Sequence, residues 1–556
     1  MQKKDNPKFI FVVGGVISGV GKGVAASSIA KILQDRGQKA TAIKIDPYIN
    51  IDAGTMNPTE HGEVFVLNDG DETDQDMGNY ERFLNIDLTR TNYMTTGRVY
   101  QTVIEKERNL EYGGKCVEVV PHIPLEVIRR IELAQKQSEA DVVVVEIGGT
   151  IGEYQNMLFL EAARMMKIKN PRDVIFVMVS YLPVPTTVGE MKTKPTQHAV
   201  RTLNASGIQP DILIARGNSP LDAKRKEKLA LFCNISPGRV ISAPDVQSIY
   251  DVPENFEKDG LSDLLCELGG MQCSSTVMPS AKEWKNFTKK VHNAKDEIHI
   301  AVIGKYFETG EYLLADSYLS VIEALKYSAY TQNKKPVLTW LNAMDYEKDP
   351  KSVSNLKKYD GIIVPGGFGS RGIEGMINVI RYARENKIPY FGLCYGMQLA
   401  VIEYARNVAK LKDAHTVEVN AKTPHPVIDI IENQKENLRN KRYGGSMRLG
   451  EYKAQIKSGS IARKAYGSSE IVERHRHRYE VNPKYIADIE KAGLVFSGCS
   501  PDKTLMEIAE LPTEKHPFFL GTQFHPEFLA RPLRPHPLFT AFIKVASSAT
   551  RRRGGK

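Results

Sequence analysis

Short apolar runs without polar alternation recur through the first half of the chain: FIFVV at 9–13, TAIKI at 41–45, VVVVEI at 142–147, VIFVMVS at 174–180, DILIARG from Asp211 and RVISAP from Arg239. Strands with this pattern are covered on both faces. The runs therefore predict a parallel sheet, with the longer helical patterns between them packed on either side. After Cys273 the texture changes to SSTVMPSAKEWKNFTKKVHNAKDE, polar and lysine-rich with no β run, which marks a linker over 274–297. A second α/β series begins at IHIAVIGKY (from Ile298), runs through GIIVPGGFG (from Gly361) and IPYFGLCYG (from Ile388), and ends in shorter strands around LVFSG (from Leu494) and GTQFHPE (from Gly521). The polar stretch ENQKENLRNKRYGG before those strands reads as a surface loop. Two α/β domains are predicted, 1–273 and 298–546, followed by a basic disordered tail over 547–556.

The first apolar run opens onto GGVISGVGKG, Gly14 to Gly23, and then onto the helical AASSIAKILQ. Strand, glycine loop and helix in that order hold polyphosphate. Backbone N–H groups approach the oxygens, the helix start adds partial positive charge, and Lys22 neutralises the terminal phosphates. The first domain is thus P-loop-like and doubly wound. It departs from GxxxxGK[ST] at two places, since Val16 stands where glycine is wanted and Gly23 where the metal-binding hydroxyl belongs. The metal must be held elsewhere, and Asp74 in DETDQDMGNYERF and Glu146 at the end of VVVVEI are the hard oxygen donors expected to hold Mg²⁺. KTKPTQH, Lys192 to His198, places two cations on a proline-stiffened loop suited to a second triphosphate, although a KxK pair alone is more simply a solvated surface.

In the second half, Cys394 sits between an apolar strand and a helix, with Gly392 and Gly396 permitting a sharp turn. That is nucleophile-elbow geometry with a thiol, and a helix start favours the thiolate. PGGFG, Pro365 to Gly369, ends another strand in a loop whose N–H groups suit an oxyanion. His525 and Glu527 lie two apart, so on an extended segment both side chains share a face and the carboxylate orients the imidazole.

The length of 556 residues, with 42% hydrophobic and 25% charged, suits a globular chain of several domains. The net charge of +9 does not point to nucleic acid, because the final RRRGGK carries four of those charges. The six cysteines show no CxxC pair or metal spacing, which predicts reduced thiols in the cytoplasm. With no signal-peptide core and no membrane-length apolar run, no membrane partner is expected either.

The PGGFG loop, Cys394, His525 and Glu527 together resemble the class I glutamine amidotransferase domain, over about 298 to 545. The resemblance implies that Cys394 attacks the glutamine carboxamide and that His525 gives a proton to the leaving ammonia. Gly367 and Tyr395 would supply backbone donors, and Gly396, Met397, Gln398, Glu418 and Arg478 would complete the glutamine site. Almost the whole chain resembles the CTP synthase family, in KIDPYINIDAGTMNPTEHGEVFV (from Lys44), ETDQD, VEIGGTIG, GEMKTKPTQH, LALFCNI (from Leu229) and ERHRHRYEVN (from Glu473). This implies ATP-dependent amination of UTP to CTP through a 4-phosphorylated UTP, with ammonia passing between domains along Pro58, His61 and Val64. ATP would lie on Gly19, Val20, Gly21, Lys22, Gly23, Val24, Asp74, Asp245 and Val246. The pyrimidine nucleotide would lie on Ser18, Glu153, Tyr154, Gln155, Lys192, Thr193, Lys194, Pro195, Thr196, Gln197 and Lys228. GTP activation, CTP inhibition and a homotetramer are implied as well.

The chain departs from the family where GTIGEYQN replaces the common GTVGDIES, where Tyr395 replaces leucine, where Ala53 replaces proline, and in a short loop from Arg439 to Gly444. These bear on CTP feedback, pocket shape and GTP response. Two other readings, a different amidoligase paired with a glutaminase and a filament-forming P-loop protein with a decayed glutaminase, are disfavoured by KTKPTQH and by the intact Cys394, His525 and Glu527.

Overall fold

In the computed structural model the first domain meets the demand of its apolar runs with seven parallel strands. Their order is Tyr93–Thr95, Ala40–Asp46, Val142–Ile147, Lys8–Gly15, Val174–Tyr181, Ile212–Gly217 and Val240–Pro244. The structure describes residues 6–553 except 188, 277, 306, 307, 310, 311, 314 and 431–444. The loop 439–444 expected to shape the GTP response lies outside the described residues. Phe11, Val143, Val145, Phe176 and Met178 are buried and form part of the core between sheet and helices. The glycine loop and Glu146 both come at the carboxyl ends of adjacent central strands, where open α/β sheets place their ligands.

The second domain carries a nine-stranded sheet in the order Lys334–Asn342, Asp296–Gly304, Gly361–Val364, Tyr390–Leu393, Phe519–Thr522, Met506–Glu510, Val495–Cys499, Arg448–Ile456 and Glu470–His477. The first five strands are parallel and the rest antiparallel. The strand Glu470–His477, EIVERHRH, ends in a charged run that hid it from a hydrophobicity pattern.

The chain divides into two units, Met1–Asp52 with Asp76–Thr288 and Ala53–Gln75 with Lys289–Lys556. This differs from the expected boundary at 273. The hairpin of Val64–Val66 and Glu72–Asp74 belongs to the second unit, held there by side chains some four hundred residues away in sequence. The linker contains the helix Pro279–Asn293, whose Trp284 is buried and donates from Nε1 to the Tyr250 carbonyl at 3.0 Å. The final helix runs Pro537–Arg553, into the segment expected to be a tail.

One expectation is corrected. Cys266 and Cys273 form a disulfide, so not every thiol is reduced. Gly270 takes φ 59° just after the helix Leu261–Gly269 and turns the chain back, bringing the two Cα atoms to 6.1 Å. Among the described residues no helix is long and apolar enough to cross a membrane.

Candidate active sites

Both departures in the glycine loop have local causes. Val16 adopts φ 79°, the conformation for which glycine is wanted, and a β-branched residue is strained there. At Gly23 an added Cβ would lie 2.1 Å from Asp76 Oδ1, so the carboxylate fills the space a serine or threonine would need. Lys22 begins the helix Lys22–Asp35, folds back over Gly14 and donates to the Gly149 carbonyl at 2.8 Å. Burial lowers its pKa, and the Glu146 and Asp76 carboxylates oppose that fall.

Around Lys22 the structure gathers residues that the sequence reading passed over. Lys44 Nζ pairs with Glu146 Oε1 at 3.1 Å and with Asp76 Oδ2. The Tyr80 hydroxyl donates to Glu146 Oε2. Burial raises Glu146 against the pull of Lys44. For Asp76 burial also raises the pKa, but Lys44, Asn79 and Lys22 together outweigh it and lower the group. One ammonium therefore touches both carboxylates, so their oxygens surround a single cation position. Two carboxylates fit Mg²⁺, which keeps several waters and takes the rest of its shell from phosphate oxygens. No group of three or more His, Cys, Asp or Glu in metal-binding arrangement occurs among the described residues. Asp74, two residues before Asp76, pairs with Val64 in the hairpin of the other unit. The spacing of ETDQD was the available signal, since it offers two aspartates and only the fold distinguishes them.

A cavity of about 240 Å³ is lined by Gly21, Val24, Arg216, Asp245, Val246 and Phe256 among others, joining four residues expected to hold ATP. Arg216 pairs with Asp245 at 2.8 Å and donates to the Val20 carbonyl at 3.1 Å, tying the loop to that wall. Of the residues expected at the pyrimidine nucleotide, Ser18, Tyr154 and Lys228 are exposed. Lys192 pairs with Glu190 at 2.7 Å, and Lys194 opens the helix Lys194–Ala205 with Pro195 in its first turn. Thr193, Thr196 and Gln197 are buried, Thr196 bonding Ser180 at 2.8 Å and Gln197 donating to Thr193 at 3.1 Å, so these three anchor the start of that helix, where a loop was expected. Glu153 accepts from the Thr150 N–H at 2.8 Å and from Gln155.

In the second unit Cys394 takes φ 48° and ψ −97° between the strand Tyr390–Leu393 and the helix Tyr395–Asn407. The elbow needs its glycines. A Cβ on Gly396 would lie 2.2 Å from the Val364 carbonyl oxygen, and one on Gly392 would lie 2.7 Å from the Gly396 backbone. Gln523 donates to the Cys394 sulfur at 3.7 Å. His525 Nδ1 bonds Glu527 Oε1 at 2.7 Å, while Nε2 has no hydrogen-bond partner among the described residues. Burial acts to lower the His525 pKa, yet Glu527 and then the Cys394 sulfur outweigh it and hold the group at about 10. The ring therefore carries a proton at neutral pH.

Gly367, Tyr395, Gln398, Glu418 and Arg478 line one cavity of about 610 Å³ with Cys394, His525 and Glu527. Met397 is core instead, packed on Gly521. Glu418 accepts from the Gly369 N–H at 2.7 Å, and burial raises its pKa. The Gly369 carbonyl accepts from Lys305 at 2.7 Å and from the Tyr395 hydroxyl at 3.1 Å. Burial lowers Lys305 to about 8, with Glu418 opposing. The residue that departs from the common leucine thus pins the PGGFG loop. The same cavity is lined by Gly54, Thr55, Pro58, Glu63 and Val64 of the inserted segment.

The family profile for the CTP synthase N-terminus matches residues 8–270, and that for class I glutamine amidotransferase matches residues 313–545. The chain is 50% identical over 542 residues to a CTP synthase of Pyrococcus abyssi, covering 97% of this chain and 98% of the relative. It is 49% identical over 550 residues to a CTP synthase of Thermococcus gammatolerans, covering 99% of this chain and 100% of the relative. Among solved structures, the glutaminase domain of a Trypanosoma brucei CTPS with bound acivicin aligns at 36% identity and a TM-score of 0.42, covering 45% of this chain and 94% of that one.

Proposed function

The chain belongs to the CTP synthase family, glutamine-hydrolysing ligases that make CTP from UTP with ATP, and from that premise we propose the path its residues follow. Lys22 and the N–H groups of Gly19 to Val24 hold the ATP phosphates, with the base against Asp245 and Val246. Ser18, Lys192 and Lys228 hold UTP. Asp76 and Glu146 would hold Mg²⁺, which would supply charge neutralisation for the phosphates, and Asp74 is the alternative ligand read from sequence. The uracil 4-oxygen leaves poorly, so in-line transfer of the ATP terminal phosphoryl group to it first makes a 4-phosphorylated UTP, with Lys22 meeting the developing charge.

Cys394 attacks the glutamine carboxamide as a thiolate, its proton held on His525, and the carboxamide oxygen takes negative charge beside the N–H groups of Gly367 and Tyr395. Protonated His525, oriented by Glu527, gives its proton to the leaving ammonia, and water later releases glutamate. Glu418 and Arg478 hold the amino acid portion. Ammonia must travel uncharged, since ammonium has no lone pair, and then displaces phosphate from carbon 4. The observation that carries this route is the single cavity shared by Cys394, His525 and the passage residues Pro58 and Val64. His61, the third residue read as lining the passage, ends the short helix Pro58–His61. GTP activation, CTP inhibition and homotetramer assembly complete the proposal by family resemblance. The test is to supply UTP, ATP, Mg²⁺ and glutamine and measure CTP, ADP and glutamate. Equal amounts of the three are expected, and glutamate release without CTP under every nucleotide condition refutes the reading.

A further inference from the structure

The strand Glu470–His477 touches both catalytic residues through its backbone. The Arg474 carbonyl accepts from the His525 N–H at 2.8 Å, and the Arg476 carbonyl lies 3.9 Å from the Cys394 sulfur. Side chains alternate along a strand, so Arg474 and Arg476 share one face. Both reach the segment Ala53–Gln75. Arg474 is fully buried, bonds the Asn68 side chain, donates to the Val66 carbonyl at 3.1 Å and lies over the Phe65 ring at 5.5 Å. Arg476 pairs with buried Glu72 at 2.8 Å and reaches the Gly54 carbonyl at 3.4 Å. Phe65 also packs on Phe528, the neighbour of Glu527, with ring centroids 5.2 Å apart. A Cβ on Gly54 would fall 2.1 Å from Glu72 Oε2, so the chain gives up a side chain to let this pair form.

We propose that Arg474 and Arg476 are positioning residues that couple the state of the Cys394 site to the seat of the hairpin 64–74, so that thiol, imidazole and passage segment move as one body. The coupling is mechanical. Acylation at Cys394 presses on the Arg476 peptide, and the guanidinium of the same residue transmits the shift to Glu72 and Gly54. The part concerning ammonia delivery rests on the function proposed above, whereas the response of the hairpin does not.

The test uses the full-length enzyme. Hydrogen exchange of hairpin amides is followed before and after Cys394 is alkylated by a chloroketone analogue of glutamine, and CTP formed per glutamate released is measured in parallel. In the wild-type enzyme alkylation is expected to slow hairpin exchange. In Arg476→Met and in Glu72→Gln the unalkylated hairpin should exchange about tenfold faster, the population shift that one lost charge-assisted hydrogen bond brings. Both should lose the response to alkylation and make less CTP per glutamate, and Arg476→Lys should restore part of each. A wild-type response and a wild-type product ratio in Arg476→Met overturn the proposal. CTP formation that fails in the wild-type enzyme itself refutes the function instead, leaving the exchange readout to judge the coupling.

Discussion

Gly23→Ala tests the reading of the glycine loop most sharply, because it adds one methyl group where the pattern for such loops would tolerate a larger side chain. The new Cβ would lie 2.1 Å from Asp76 Oδ1 and 2.6 Å from Asp76 Cγ. Reaching ordinary van der Waals contact requires the carboxylate to retreat by roughly 1 Å. Asp76 is short and held by Lys44 and Asn79, so it cannot retreat without loosening both. Stability moves little, since alanine gains about 1 kcal/mol of helix propensity over glycine against an overpacking cost of about 1–3 kcal/mol. Activity moves much more, because a displacement of that size at a phosphoryl-transfer site costs about 100-fold. Ammonium-driven CTP formation at saturating UTP and ATP is the assay, with a thermal melt as the control for folding. A folded Gly23→Ala enzyme within about threefold of wild type, under 1 kcal/mol of barrier, refutes the placement of Asp76 in the site.

Tyr395→Phe removes the hydroxyl bonded to Gly369 and should raise the glutamine KM by about two- to tenfold, the worth of one hydrogen bond; an unchanged KM would show that the PGGFG loop needs no such tie. His525 rises from 6.5 to about 10 on folding, so the stability it contributes is full below pH 6.5 and lost as pH climbs through about 10. The gap in urea midpoint between wild type and His525→Gln should therefore narrow over that range, and a constant gap contradicts the assignment. Alkylation of unfolded protein should count four thiols without reductant and six with it. Reduction should cost about 2 kcal/mol in a urea melt, for so short a loop, and six thiols without reductant would remove the disulfide.

Much of this was legible in residue order. Unbroken apolar runs identified six of the seven strands in the first sheet, missing Tyr93–Thr95, a three-residue edge strand with too little pattern to register. The elbow at Cys394 was visible because turn geometry is local. His525 and Glu527 do pair, but not on the extended segment expected, because the strand ends at Thr522 and Glu527 lies in the 3-10 turn Pro526–Leu529 that follows His525. Contacts set by long-range packing were not visible. Asp74 and Asp76 are indistinguishable as aspartates, and only the fold puts Asp76 against Gly23 and Lys44. Arg474 stands in the charged run ERHRHRYE, yet it is buried, because its partners come from a hairpin four hundred residues earlier. Cys266 and Cys273 show no motif, and their pairing follows from the turn at Gly270.

The central claim is that one chain generates ammonia at Cys394 and spends ATP elsewhere to use it. Its most direct test is Cys394→Ala supplied with UTP, ATP and Mg²⁺, first with glutamine and then with an ammonium salt. The account predicts no CTP from glutamine and near wild-type CTP from ammonium. CTP from glutamine, or loss of synthesis with both nitrogen sources in a folded enzyme, would contradict it.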